Sequence, residues 1–563
     1  MKKFTLILAV MLLVSPLLFS GGQRGQPARQ GPGEIPDYIN LDGYFPVVKS
    51  GTSVNMTVSW LPHGIYAQHS DPDQIWFFRF VREAMNINLN VTARPAGPEV
   101  KNLMFASGDL PDIWFEGLTP NDIVNYGVAE KMIIPISDYL SPELMPNLYR
   151  AYQSDPGLKS PSTASDGKVY GFSTLKGREW LHGPITGGLS RAFYNQRWLD
   201  QLGLRIPETL DEYMAVLRAF KTLGADVLPD AGIFNGQNNF PLIFSALGFH
   251  WTYGNPLTNV GTRNGNVTFV YGDRDIYPKF LEIYKTMYDE GLITRDFFTM
   301  DNNTRVALTQ SGIGGVIPFN LVTMVGSTRC FDYVSAKPLT SEFSREVYWM
   351  SPPNHVVINQ AAVMSGNRYP EAAMRMFDYF YTEETGLIGF YGFPHTEPAY
   401  QYGMLRGWTI TNNRIDVQID NPALYDSEMF FSNSRIRPIH DMVGIQNNID
   451  SIAMRMYGLN PPAEEFNRSI PDGFMRGTTH DHLSPHIVTS FPYVVYWDEV
   501  SARRITDLSA VLDDYANTQF AQFVTGARPI SDLPRYFDEL NRMGYQEYLK
   551  YFVDYYEGVR ADR

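Results

Sequence analysis

The chain has 563 residues and a net charge of −14, with 60 Asp and Glu against 46 Lys and Arg. That balance excludes a surface built for nucleic acid or anionic lipid, both of which reward clustered cations. The single cysteine, Cys330, excludes an internal disulfide and any multi-thiolate metal site, and reads as a small buried hydrophobe.

The N-terminus opens with Lys2 and Lys3, followed by an apolar run from Phe4 to Phe19 that Pro16 interrupts, and then by Ser20-Gly21-Gly22. This pattern predicts a signal peptide over 1–20, because the apolar run is too short and broken to span a bilayer. Gly21 occupies the place where a lipoprotein signal carries its acylated cysteine. The expected mature protein is therefore exported, periplasmic or extracellular, and soluble. Residues 21–50 are rich in Gly, Pro, Gln and Arg and are expected to form a flexible leader.

Beyond the leader, Val54 to Trp60 alternates as a half-buried strand, and Gln74 to Met85 has helical spacing of apolar residues. A strand at Ile87 to Thr92, a helix at Glu99 to Ser107, a strand at Asp112 to Phe115 and a helix at Pro120 to Lys131 follow. Strands alternating with helices imply a parallel sheet covered on both faces. Leu210 to Leu223 is the best-marked helix: Thr209 and Glu212 form a capping box, and Gly224 supplies a stop. Further helices are expected at Ile276 to Glu290, Pro370 to Glu383, Glu499 to Phe523, Leu533 to Met543 and Glu547 to Tyr556. The glycine clusters at Gly261–Gly265 and Gly312–Gly315 lack the strand–GxGxxG–helix context of a nucleotide site.

Ordered blocks along this chain resemble the extracellular solute-binding proteins (family 1) of ABC importers, in particular their lipoprotein-type, carbohydrate-binding branch. They are Asn102 to Ile113 (NLMFASGDLPDI), Ser165 to Phe172 (SDGKVYGF), Phe193 to Leu204 with Pro207 to Tyr213, and Tyr369 to Gly392. Asp507 to Gly526 and Asn541 to Tyr545 complete the series. The resemblance implies a two-lobed α/β fold, the type 2 periplasmic-binding-protein fold, with hinge-linked lobes closing on a ligand cleft. By that analogy the first lobe spans 51–188 and 316–358, and the second 193–312 and 362–563. Many members of this branch continue past the capped helix into a carboxylate-rich calcium loop. Here Thr222 to Asp230 carries only Asp226 and Asp230, so no metal is expected, and no cofactor.

In a parallel lobe, ligands lie beyond the carboxyl ends of strands. That places Trp60, Trp114 and Glu116 as candidates on the first lobe, although strand-end packing would use the same tryptophans. Sugars need amides and carboxylates for hydroxyls and flat rings for C–H faces, and an aromatic content of 14% suits both a core and such a cleft. The resemblance turns Gln237, Asn238, Trp251 and Tyr253 toward the cleft from the second lobe, with Trp180 and Tyr194 beside the first crossing. No HExxH or GxSxG arrangement occurs, and a glycosidase carboxylate pair has no sequence signature to mark it. The expectation is a monomeric, non-catalytic receptor that hands a carbohydrate, an oligosaccharide or sugar derivative, to a membrane ABC permease. The alternatives are a receptor for a peptide or other polar solute, and a secreted glycoside hydrolase or lyase.

Overall fold

The computed structural model describes residues 33–61, 71–95, 98–115, 117–175, 191–234, 238–251, 260–350, 356–391, 393–394, 406–411, 414–419, 444–445, 468–469, 471–488 and 495–561. The expected signal segment 1–20 lies outside them. The strands that position the site are β1 (Val54–Trp60), β2 (Ile87–Ala93), β3 (Ile113–Phe115), β4 (Gly171–Leu175), β5 (Ala192–Asn195) and β6 (Leu228–Asp230).

Two mixed sheets organise the chain. The first runs Gly444–Ile445, β4, Val356–Val363, β3, β1, β2, and the second runs Tyr333–Ser335, β5, Gly314–Pro318, β6. β1 pairs parallel with both β2 and β3, whereas Val356–Val363 runs antiparallel to β3 and β4. Alternation along each strand divides side chains between two faces. Ile113 and Phe115 enter one first-lobe core with Val54, Met56 and Val58, while Trp114 enters the other with Phe105 and Ala362. In the second sheet Ala192 and Tyr194 face a large aromatic core, and Phe193 faces Ile317, Leu321 and Met475.

The alternating β–α–β pattern at the start of the chain is present as read. The helix after β1 is shorter than its apolar spacing suggests, spanning Trp76–Ala84 after a turn at Pro72–Gln74. Thr209 and Glu212 do form a capping box on Leu210–Lys221, which ends at Thr222, two residues before Gly224. The helix expected at 120–131 is irregular: a turn at Pro120–Asp122, capped by Thr119, widens over Ile123–Ala129. The Tyr170 ring presses within 2.9 Å of where a Gly127 side chain would begin, so only glycine fits there. The helix expected at Pro370 to Glu383 is divided into Pro370–Tyr379 and Glu383–Tyr391. Cys330 is buried.

Parts of the expected division are redrawn by these pairings. Gly314–Pro318 and Tyr333–Ser335 flank β5, with Val316 opposite Tyr194 and Val334 opposite the same residue, so they join the second sheet. Pro370–Tyr379 is buried along its whole length, and Ala372, Met376 and Phe377 lie in the first-lobe core. The end of the expected flexible leader is docked as well. Ile39, Val47 and Val48 are buried in that core, and Tyr44 donates its hydroxyl to Asp378 at 2.6 Å. The three buried aliphatic side chains and the Tyr44 hydrogen bond favour docking of this stretch.

Core membership changes between successive described stretches of the chain. Leu175 packs in the first-lobe core and Ala192 in the second-lobe core; Trp349 packs in the second and Val356 in the first. Tyr496 reaches across from between Val495 and Trp497, which both pack against the second-lobe core. Tyr496 packs on the first-lobe core and accepts a hydrogen bond from Asn359 Nδ2 at 3.3 Å. Trp497 packs edge-on against Tyr551, Phe552 and Tyr555 of the second.

Candidate functional site

On the first lobe the carboxyl ends of β1, β2 and β3 lie side by side, since Trp60 is in register with Ala93 and with Phe115. The residue that leaves β2 is Arg94, and it is buried. Its backbone N–H donates to Trp60 O at 2.8 Å. Its guanidinium donates from Nη1 to Ser59 O at 3.0 Å and Ser59 Oγ at 3.2 Å, and from Nη2 to Phe115 O at 2.7 Å. The same group lies 4.2 Å from the centre of the Trp114 ring. A planar fork with five donors can serve two strands and stack on an indole at once, which an ammonium cannot. Gly117, at φ +85°, turns the chain away just above it.

The expected ligand residues fall unequally around this arrangement. Trp60 is at the strand end, 4% exposed, with its ring edge-on to Phe78 at 5.5 Å. Trp114 has no exposed surface and lies within the core beneath Arg94. Glu116 lies outside the described residues. Asp112, in the best-matching sequence block, is structural: its Oδ2 accepts from Thr57 N at 2.7 Å and Thr57 Oγ1 at 2.8 Å, locking β3 to β1.

On the second lobe a buried carboxylate takes the corresponding place. Asp230 ends β6, and its Oδ1 accepts from Gly232 N at 2.7 Å and Asn239 Nδ2 at 2.8 Å. Its Oδ2 accepts from the Tyr213 hydroxyl at 2.5 Å. Burial pushes the Asp230 carboxyl above the usual carboxylate range, opposed by these hydrogen bonds and by the charge of Arg305. Burial likewise brings the Arg305 guanidinium down to about 10. Asp230 is one of the two carboxylates in Thr222 to Asp230, and its oxygens are engaged by the protein itself. Among the described residues, no group of three or more His, Cys, Asp or Glu could hold a metal ion.

Of the second-lobe candidates, Asn238 is half-buried and its Oδ1 accepts from Phe240 N at 3.2 Å. Trp251 lies on a short strand opposite Gly261. Tyr194 is fully buried in the aromatic core beside Tyr213, and burial pushes its phenol well above the ordinary range. In this conformation it presents no surface to a ligand. Gln237, Tyr253 and Trp180 lie outside the described residues. Neither Arg94 nor Asp230 is a site residue that composition or spacing singles out. The available signal is positional: each is a charged residue at the carboxyl end of a strand.

No family model matches the chain. Among solved structures, the S. pneumoniae substrate-binding protein FusA in complex with kestose superimposes with a TM-score of 0.71 at 21% identity, covering 90% of this chain and 100% of that one. A human-milk-oligosaccharide (HMO) binding solute-binding protein from Bifidobacterium longum infantis gives a TM-score of 0.65 at 19% identity, covering 90% and 99%. The fold is that of the solute-binding proteins of ABC transporters. In sequence, the chain is related to the fructooligosaccharide-binding FusA of Streptococcus pneumoniae, at 29% identity over 317 residues, 53% of this chain and 55% of that protein. It is similar too to the polygalacturonan/rhamnogalacturonan-binding protein YtcQ of Bacillus subtilis, at 24% identity over 305 residues, 53% and 56%. The chain thus spans about half the length of the curated relatives it matches.

Proposed function

We propose that this protein is an exported receptor that captures an oligosaccharide in the cleft between its lobes and delivers it to an ABC importer, without catalysis. The observation that carries this reading is the match of both lobes to a solute-binding protein in complex with kestose, across that structure's whole length. Relatives in sequence and fold are named as binders of fructooligosaccharides, pectic polymers and milk oligosaccharides. Their common chemistry is a flexible chain of hydroxyl-rich rings, which a hinged cleft encloses from two sides.

Among the described residues we assign 34–175, 356–391 and 444–445 to the first lobe, and 192–349, 471–483 and 495–561 to the second, following core membership and, for 444–445, pairing with β4. Ligand contact is assigned to the strand-end loops: Trp60 and Glu116 on the first lobe, Gln237, Asn238, Trp251 and Tyr253 on the second, and Trp180 at the crossing. Calorimetry against kestose, galacturonan oligomers and milk oligosaccharides tests the reading. Stoichiometric binding of at least one, with the sugar recovered intact, is expected. Sugar cleavage, or no binding by any of the panel, overturns it.

A further inference from the structure

Arg94 joins the carboxyl ends of β1, β2 and β3 on the first lobe. Through its own backbone it is bonded to Trp60, and through its guanidinium to Ser59 and Phe115, while its face covers Trp114. Those partners lie at the ends of β1 and β3, beside Trp60 and at Phe115. A strand end is otherwise where backbone carbonyls lose their ladder partners and the chain is free to splay. A guanidinium is always charged and its donors are fixed in one plane, so the spacing between its acceptors is fixed with it.

We propose that Arg94 is a positioning residue for ligand recognition: by holding Ser59 and Phe115 together it sets the separation and angle of the strand ends at Trp60 and Phe115. This rests on the receptor reading, in which those strand ends border the sugar. Preorganised contacts gain affinity because the ordering is done before the ligand arrives. The arrangement also explains the residue type. Lysine could reach one carbonyl but not both, and would lose the flat contact with the indole.

The test uses the full chain, with two readouts on Arg94→Lys and on Ser59→Ala, which trims one acceptor and leaves the charge in place. The first needs no sugar. Amide hydrogen exchange is expected to rise about tenfold in peptides covering 59–61 and 115–118 of Arg94→Lys, with the second lobe unchanged. Unchanged exchange at both strand ends overturns the proposal. The second is a double-mutant cycle on the affinity for the tightest-binding panel sugar. Arg94→Lys is expected to weaken binding about tenfold in the wild-type background but only about twofold when Trp60 is already Ala. Equal losses in both backgrounds mean that Arg94 does not act through Trp60, and overturn it. Ser59→Ala is expected to show the same coupling at about threefold, and additivity there counts against the proposal equally. If the wild type binds no panel sugar, the receptor reading fails, while the exchange readout still decides whether Arg94 holds the strand ends.

Discussion

The two lobes solve the same problem with opposite charges. At the carboxyl end of the first sheet a buried cation donates to carbonyls on neighbouring strands. At the end of the second a buried carboxylate accepts from a backbone amide, a side-chain amide and a phenol. The difference follows from what each strand end leaves unpaired. Side by side, β1 and β3 present carbonyls, which need donors. Beside the end of β6, the Gly232 backbone and the Asn239 side chain present N–H groups that need an acceptor. A third charge, Arg305, acts on the carboxylate, whereas the indole of Trp114 covers the cation. The second lobe is thus braced by electrostatics in depth, and the first by a fork and a ring.

The comparison is most sharply tested by removing the second-lobe anion. Asp230→Ala leaves three donors without their acceptor and removes a charge that acts on Arg305, and is expected to cost about 4 kcal/mol of stability in urea unfolding. A loss below about 1 kcal/mol would mean that the carboxylate is not a brace. On the first lobe, Trp114→Ala is expected to cost about 3 kcal/mol, because a ring with no exposed surface leaves a cavity. Trp60→Ala should cost less stability and more sugar affinity, so the two tryptophans separate into core and contact when both properties are measured.

A smaller effect is expected at Gly171, whose added side chain would meet Asn359 Cα at 2.7 Å. Gly171→Ala should cost about 2 kcal/mol and loosen β4 selectively in hydrogen exchange. Both lobes carry a capping box, Thr119 with Asp122 and Thr209 with Glu212. Thr→Ala at either position should cost about 1 kcal/mol, measured by thermal unfolding. Unequal costs would trace to the pairing of Lys101 with Asp122, 2.5 Å apart, which has no counterpart at Glu212 among the described residues.

The smallest effect belongs to the C-terminal helices. The Tyr515 hydroxyl, then Arg535 and Arg528, hold the Glu539 carboxyl down at about 2, against an ordinary 4.5. Its contribution is present above pH 4.5 and is lost as the pH falls toward 2. Glu539→Gln should flatten that part of the acid-unfolding curve slightly, because solvent screens the pair.

The local pattern was legible in the sequence wherever it depended on neighbours. The alternation in Val54 to Trp60 and the Thr209–Glu212 capping box follow from spacing alone. Lobe membership was not legible, since it depends on which distant strands pair. Nothing in residues 356–363 announces that Val357 lies opposite Thr174, nor in residues 314–318 that Val316 lies opposite Tyr194. Pro370–Tyr379 misleads for a related reason: a helix buried all round carries no directional stripe to say which core it enters. At the candidate site the sequence marks aromatic residues at strand ends but cannot tell a wall of the cleft from the core beneath it. Trp60 and Trp114 look alike in one dimension, and in the fold both pack in cores, different ones, Trp60 with a sliver of exposed surface and Trp114 with none. Tyr194 was drawn to the cleft by its closeness to the crossing, yet strand alternation points it inward with Ala192.

Tyr496 is flanked by Val495 and Trp497, which both pack against the second-lobe core, while its own ring packs against the first. One side chain of a second-lobe segment is thus pinned to the other body, with Asn359 as its seat. A rotation of one lobe against the other has to carry this pin along or pull it out. Substitution at Asn359 then alters the cost of that rotation while leaving every proposed ligand contact in place.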